Sequence, residues 1–109
     1  MPTEPKTLDI TDIKGARATI PDINVFGNGD LFALMSKASS ESQGWMKSTK
    51  VMPIEGGGAV VQVSTQQKNP DGSYAVAEAL AYVPHVVVML DEKGNRVLAN
   101  PVVALSMLN

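Results

Sequence analysis

The amino-acid sequence predicts a mainly β protein, an antiparallel meander or a small barrel or sandwich, with one short helix as the alternative for residues 30–42. Three observations carry this reading. First, Asn69-Pro70-Asp71-Gly72 is a turn with a role for each residue: proline presets φ, aspartate bonds back to the chain, and glycine takes the left-handed position. Second, alternating runs flank that turn. Upstream, Val61, Val63 and Thr65 share one face while Val60, Gln62, Ser64 and Gln66 share the other; downstream, Tyr74, Val76, Glu78, Leu80 and Tyr82 alternate with Ala75, Ala77, Ala79 and Ala81. Alanine favours helix, but a strict period of two entered directly from a hairpin turn specifies strand. Third, Glu55-Gly56-Gly57-Gly58 and Asp91-Glu92-Lys93-Gly94-Asn95 are polar, glycine-marked connections at which a strand can reverse.

The elements follow in order. Residues 1–14 hold Pro2, Pro5 and sparse apolar positions at Leu8, Ile10 and Ile13, which reads as an N-terminal arm or edge strand. Residues 15–109 form a single β-rich domain. Ala16 to Ile20 is a short strand candidate ended by Pro21, and Phe26-Gly27-Asn28-Gly29 makes a turn. Between Asp30 and Ala38 two patterns compete. Leu31, Leu34, Met35 and Ala38 have helical spacing with Asp30 as cap, yet the polar loop 39–44 and the alternation of Trp45 to Met52 favour a hairpin. Pro53 closes that second arm. His85 to Leu90 and Arg96 to Ala99 form a further hairpin that continues the meander, and Pro101 to Leu108 stays apolar, which calls for a closing strand or a subunit contact. Glu78, set among large residues, requires an edge position or a partner.

Composition narrows the function classes. The chain has 109 residues, 44% hydrophobic and 18% charged, which suits one globular domain and excludes intrinsic disorder. No cysteine is present, so disulfides, thiolate catalysis and cysteine zinc sites are ruled out. A net charge of −2 gives no long-range attraction for a polyanion. Met1 to Lys14 lacks the apolar core of a signal peptide and no run approaches the ~20 apolar residues of a membrane span. The expected location is the cytoplasm, with no membrane partner.

The residues offer little catalytic chemistry. His85 is the lone histidine and opens an apolar strand, where a structural or exposed imidazole outweighs a general base. Neither a nucleophile elbow nor a metal-ligand spacing occurs, and the glycine triplet lacks the lysine and hydroxyl residue of a phosphate loop. The expectation is a non-enzyme without cofactors. One constellation stands out. Residues 36–50 gather three lysines, many hydroxyls and the single tryptophan around one acid, Glu41. With Trp45 and Lys47 on one strand face, a ring would lie beside an ammonium, suited to stacking a ligand and neutralising its anionic group. The candidate ligand-binding residues are Trp45, Lys47, Ser48, Thr49, Lys50, Gln62 and Ser64. The competing reading packs Trp45 into the core.

Within Ala38 to Tyr82, the words Gly44-Trp45-Met46-Lys47-Ser48-Thr49-Lys50 and Asn69-Pro70-Asp71-Gly72-Ser73-Tyr74 resemble small accessory proteins encoded by bacteriophages. That resemblance implies the cytoplasm of an infected bacterium, and with it a host component to bind or a place in the virion. The functional expectation is an oligomeric, non-enzymatic binding module that holds a small anionic ligand or a host protein. The alternatives are a small barrel that binds single-stranded nucleic acid, which the charge balance disfavours, and a structural subunit of a larger assembly.

Overall fold

The structure, a computed structural model, describes residues 12–102. It is mainly β, as the alternation requires. Four strands form one antiparallel sheet in chain order: β1 (Ala33–Ser40), β2 (Trp45–Pro53), β3 (Ala59–Lys68) and β4 (Tyr74–Val83). β5 (Val87–Leu90) and β6 (Arg96–Ala99) make a separate antiparallel pair. Among the described residues the sheet is open, with β1 and β4 as its two edges, so the meander forms and no closed barrel does.

The local chemistry of the hairpins explains their register. Around the 69–73 turn, Asn69 N–H donates to the Ser73 carbonyl at 2.7 Å, and Gly72, at φ 88°, donates to the Asn69 carbonyl at 2.9 Å. The Ser73 hydroxyl and backbone N–H both donate to Asp71 Oδ1, at 2.6 and 2.9 Å, and hold that carboxyl below its ordinary value. This turn sets Lys68 opposite Tyr74, and the ladder then runs unbroken to Ala59 opposite Val83. The 91–95 turn repeats the arrangement, with Asp91 Oδ1 accepting from the N–H groups of Lys93 and Asn95 at 2.9 and 2.8 Å.

Residues 30–42 hold no helix. β1 occupies them because its backbone groups are satisfied by β2, pairing Ala33 with Val51 through Ser40 with Trp45 with one register shift between Leu34 and Ser36. That tertiary ladder overrides the helical spacing of Leu31, Leu34 and Met35. The strand also runs through Ser39 and Ser40, which composition assigned to a loop. Gly44, at φ 70°, donates its N–H to the Ser40 carbonyl at 2.8 Å and closes the hairpin there.

The helix lies earlier. Ile13–Arg17 forms a single turn, α1, where a strand was expected from Ala16. Asp12 is its N-cap, accepting from Gly15 N–H at 2.7 Å, and Asp30 accepts from Ile13 N–H at 2.7 Å and Lys14 N–H at 3.3 Å. Two carboxylates therefore satisfy the orphan donors at this terminus. Asp30 caps a helix as its residue type predicts, but across space. Residues 1–11 of the expected arm, and Val103 onward of the apolar tail, lie outside the described residues.

The meander breaks after β4. Pro84 ends the strand and His85, at φ 60°, turns the chain away, so the following strand begins only at Val87. Val86 is tied back through its carbonyl, which accepts from Gly58 N–H at 3.2 Å. β5 and β6 come to lie beside β2 and β1 respectively. Burial follows this placement. Val51 and Ala59 are fully buried, with Met46 and Ala16 nearly so. From Ala75 to Tyr82, by contrast, every residue of β4 is exposed.

Candidate functional site

The period of two decides which candidate residues meet. Trp45, Lys47 and Thr49 project from one face of β2, opposite Gln67, Thr65 and Val63 of β3. Ser48 and Lys50 project from the other face, opposite Ser64 and Gln62. The seven candidates thus form two groups on opposite sides of the sheet, not one site.

On the first face, Lys47 Nζ stands 5.9 Å from the centre of the Trp45 ring. The expected aromatic–ammonium pair is present, and Trp45 is half-buried. It is also satisfied internally, since the ammonium already occupies the electron-rich face of the indole, an interaction of about 0.5–1 kcal/mol at an exposed position. A ring-bearing ligand would have to displace Lys47 to stack on that side.

On the second face, a polar row crosses all four strands: Lys37, Ser48, Ser64 and Glu78 stand in successive register. Ser48 and Ser64 are 5% and 8% exposed, too enclosed to serve as first contacts for a ligand. Ser64 is instead engaged within the sheet, its hydroxyl donating to Glu78 Oε1 at 3.0 Å. Glu78 therefore has both of the features its setting demanded, an edge position and a partner. The sheet's lysines divide likewise. Lys47 lies on the first face, and Lys37, Lys50 and Lys68 on the second.

A shallow, open pocket around α1 is lined by Ile13, Lys14, Arg17, Val25, Gly29 and Asp30. Its acid, Asp30, is engaged in capping the helix. His85 is exposed in the turn after β4. No group of three or more histidine, aspartate or glutamate residues with metal-binding geometry occurs among the described residues, and no described helix is long and apolar enough to cross a membrane.

The feature absent from the candidate set is β4 itself. Val76, Leu80 and Tyr82 are 57, 63 and 60% exposed on one face, and Val63 of β3 is 44% exposed beside the alanines of the other. Strand alternation in the sequence pointed to these side chains but left open whether a second layer covered them. Among the described residues, no strand pairs with the outer edge of β4. Large apolar side chains in water, joined to an open row of backbone donors and acceptors, are the physical ingredients of a protein-binding surface.

Comparison with curated proteins and with solved structures gives no match. A family model does match over residues 3–99, nearly the whole chain and all six strands, and on that ground the chain belongs to the Lockin family.

Proposed function

We propose that this protein is a non-enzymatic, homo-oligomeric binding module that acts through protein–protein contact along β4, and not through a small anionic ligand held at Trp45. The observation that carries this reading is the continuous exposure of Ala75 to Tyr82, including three large apolar side chains more than half exposed. Burying a valine, leucine or tyrosine side chain of this kind is worth on the order of 1–3 kcal/mol. A ligand reading at Trp45 has less support, because Lys47 covers one ring face and Ser48, Lys50, Gln62 and Ser64 lie on the opposite side of the sheet.

Sedimentation equilibrium of the full chain at micromolar concentration tests the proposal. A mass that is a whole multiple of the 11.5 kDa chain is the expected result. A monomer at every concentration up to about 100 μM, where any contact with Kd below that value would be populated, would overturn it.

A further inference from the structure

We infer that β4 is a two-fold interface: it pairs antiparallel with β4 of a second copy, centred on Glu78, and joins two four-stranded sheets into one. This rests on the protein-contact reading above and specifies its partner and register.

The backbone phase comes first. Asn69 N–H donates to the Ser73 carbonyl, so residues 69 and 73 form a hydrogen-bonded pair. Hydrogen-bonded and open pairs alternate along an antiparallel ladder. Gln67–Ala75, Thr65–Ala77, Val63–Ala79 and Val61–Ala81 are therefore bonded pairs, with those alanines directing N–H and C=O towards β3. The β2–β3 hairpin gives the same phase independently. Lys68 N–H donates to the Gly44 carbonyl, which turns the even-numbered residues of β3 towards β2 and the odd-numbered ones towards β4. Tyr74, Val76, Glu78, Leu80 and Tyr82 consequently direct their backbone groups to the outer edge.

The sequence of this strand then selects the partner. Tyr74-Ala75-Val76-Ala77-Glu78-Ala79-Leu80-Ala81-Tyr82 reads the same in both directions, apart from valine exchanged with leucine. A two-fold contact requires that residue i meet residue j and j meet i. Centred on Glu78, antiparallel pairing sets Tyr74 against Tyr82, Ala75 against Ala81, Val76 against Leu80 and Ala77 against Ala79 of the second copy, tyrosine with tyrosine and alanine with alanine. The outward backbone groups are in phase with this centre. The bonded pairs Val76–Leu80, Glu78–Glu78 and Leu80–Val76 alone provide about six interchain hydrogen bonds.

One contact opposes the pairing and the structure already mitigates it. The two Glu78 residues face each other at the axis, where like charges directly opposite are unfavourable. Ser64 draws each carboxylate inward over its own β3, away from the axis. A strand free of other charges thus keeps its single acid turned from the edge.

Cysteine cross-linking reads the register directly, because the chain has no cysteine of its own. Ala77→Cys and Ala79→Cys are made as separate proteins, checked for unchanged circular dichroism, mixed under reducing conditions to exchange subunits, and then oxidised. In the inferred register Ala77 and Ala79 of the two copies form an open pair about 4.5 Å apart at Cα, inside the disulfide range, while two copies of the same variant place their cysteines about 7–8 Å apart, outside it. The mixture should therefore give disulfide dimer joining one of each variant in roughly ten-fold excess over either variant alone. Ala75→Cys mixed with Ala81→Cys is a second pair that should behave identically and guards against one variant failing to fold.

Efficient cross-linking of Ala79→Cys alone, or of Ala77→Cys alone, would mean a register shifted by one pair and would overturn the centre on Glu78. A dimer by sedimentation that cross-links in no combination would overturn β4 as the interface and leave the oligomeric reading standing. A monomer by sedimentation would overturn both.

Discussion

The two edges of the main sheet are built in opposite ways. β1 carries a register shift between Leu34 and Ser36, a lysine at position 37, and the Arg96 guanidinium, whose Nη1 donates to the Leu34 carbonyl at 3.0 Å. A bulge, a cation and a cover are each devices that stop an edge strand from recruiting another chain. β4 has an unshifted register over its ten residues and no basic side chain, and its single acid is drawn inward by Ser64. The difference teaches that exposure of β4 is not a general looseness of a small fold. The same sheet closes one edge and leaves the other fit for pairing.

The comparison can be broken most severely by proline, which removes one N–H at a chosen position. Ala79→Pro takes away a donor directed at β3 and should lower the stability of the isolated chain by roughly 3 kcal/mol, the scale of proline in a regular element. Leu80→Pro takes away a donor directed at the open edge. Edge positions accommodate proline, so the cost to the chain should be markedly smaller than for Ala79→Pro, while self-association disappears. Urea denaturation and sedimentation of the two variants separate these effects. Equal destabilisation by both would mean that the backbone phase assigned to β4 is wrong.

The closed edge can be opened. Arg96→Ala removes the hydrogen bond to Leu34 and with it the cover on β1. The arginine is exposed, so the expected loss of stability is only about 1 kcal/mol. The more telling outcome is association: with the Arg96 cover gone from β1, the chain should form species larger than the oligomer proposed for the wild type, visible by light scattering at tens of micromolar. If particle size stays at the wild-type value, the bulge and Lys37 suffice and Arg96 is not part of the protection.

Much of this contrast was legible in the sequence, and the reasons differ from place to place. The β3–β4 hairpin was readable because Asn69-Pro70-Asp71-Gly72 encodes its turn locally and the flanking alternation fixes which side chains share a face. Residues 33–40 were not decidable from their own pattern, since only the ladder with Trp45 to Val51 makes them a strand. α1 was hidden by Gly15, which reads as a break, although Asp12 before Ile13 is an ordinary capping signal. The split between the two sheets depends on the left-handed conformation of His85, which nothing in Pro84-His85-Val86 announces. For the site, the alternation that placed Trp45 beside Lys47 also put Ser48 and Lys50 on the far side; grouping all seven residues overlooked the pattern's own consequence. The palindrome of β4 was likewise present in the sequence, but it acquires meaning only once that strand is known to be an edge.

The smallest expected effect gives the finest test of the two edges, because it alters the charge of β4 without altering its shape. Glu78→Gln keeps length, hydrogen-bonding capacity and β4's alternation, and the Ser64 hydroxyl still has a carbonyl oxygen to which it can donate. In the isolated chain Glu78 is exposed, so stability should change by less than about 0.5 kcal/mol, as for most surface substitutions. In the proposed dimer the substitution removes two like charges at the axis. Opposed like charges on neighbouring strands cost a few tenths to one kcal/mol, so Kd should tighten by roughly two- to five-fold, and the gain should shrink as added salt screens the wild-type repulsion. Ser64→Ala should act in the reverse sense, freeing Glu78 to approach the edge and weakening association by a similar factor. If Glu78→Gln weakens association instead, the glutamate is making an attractive contact with the second copy, and an axis that sets the two carboxylates against each other is untenable.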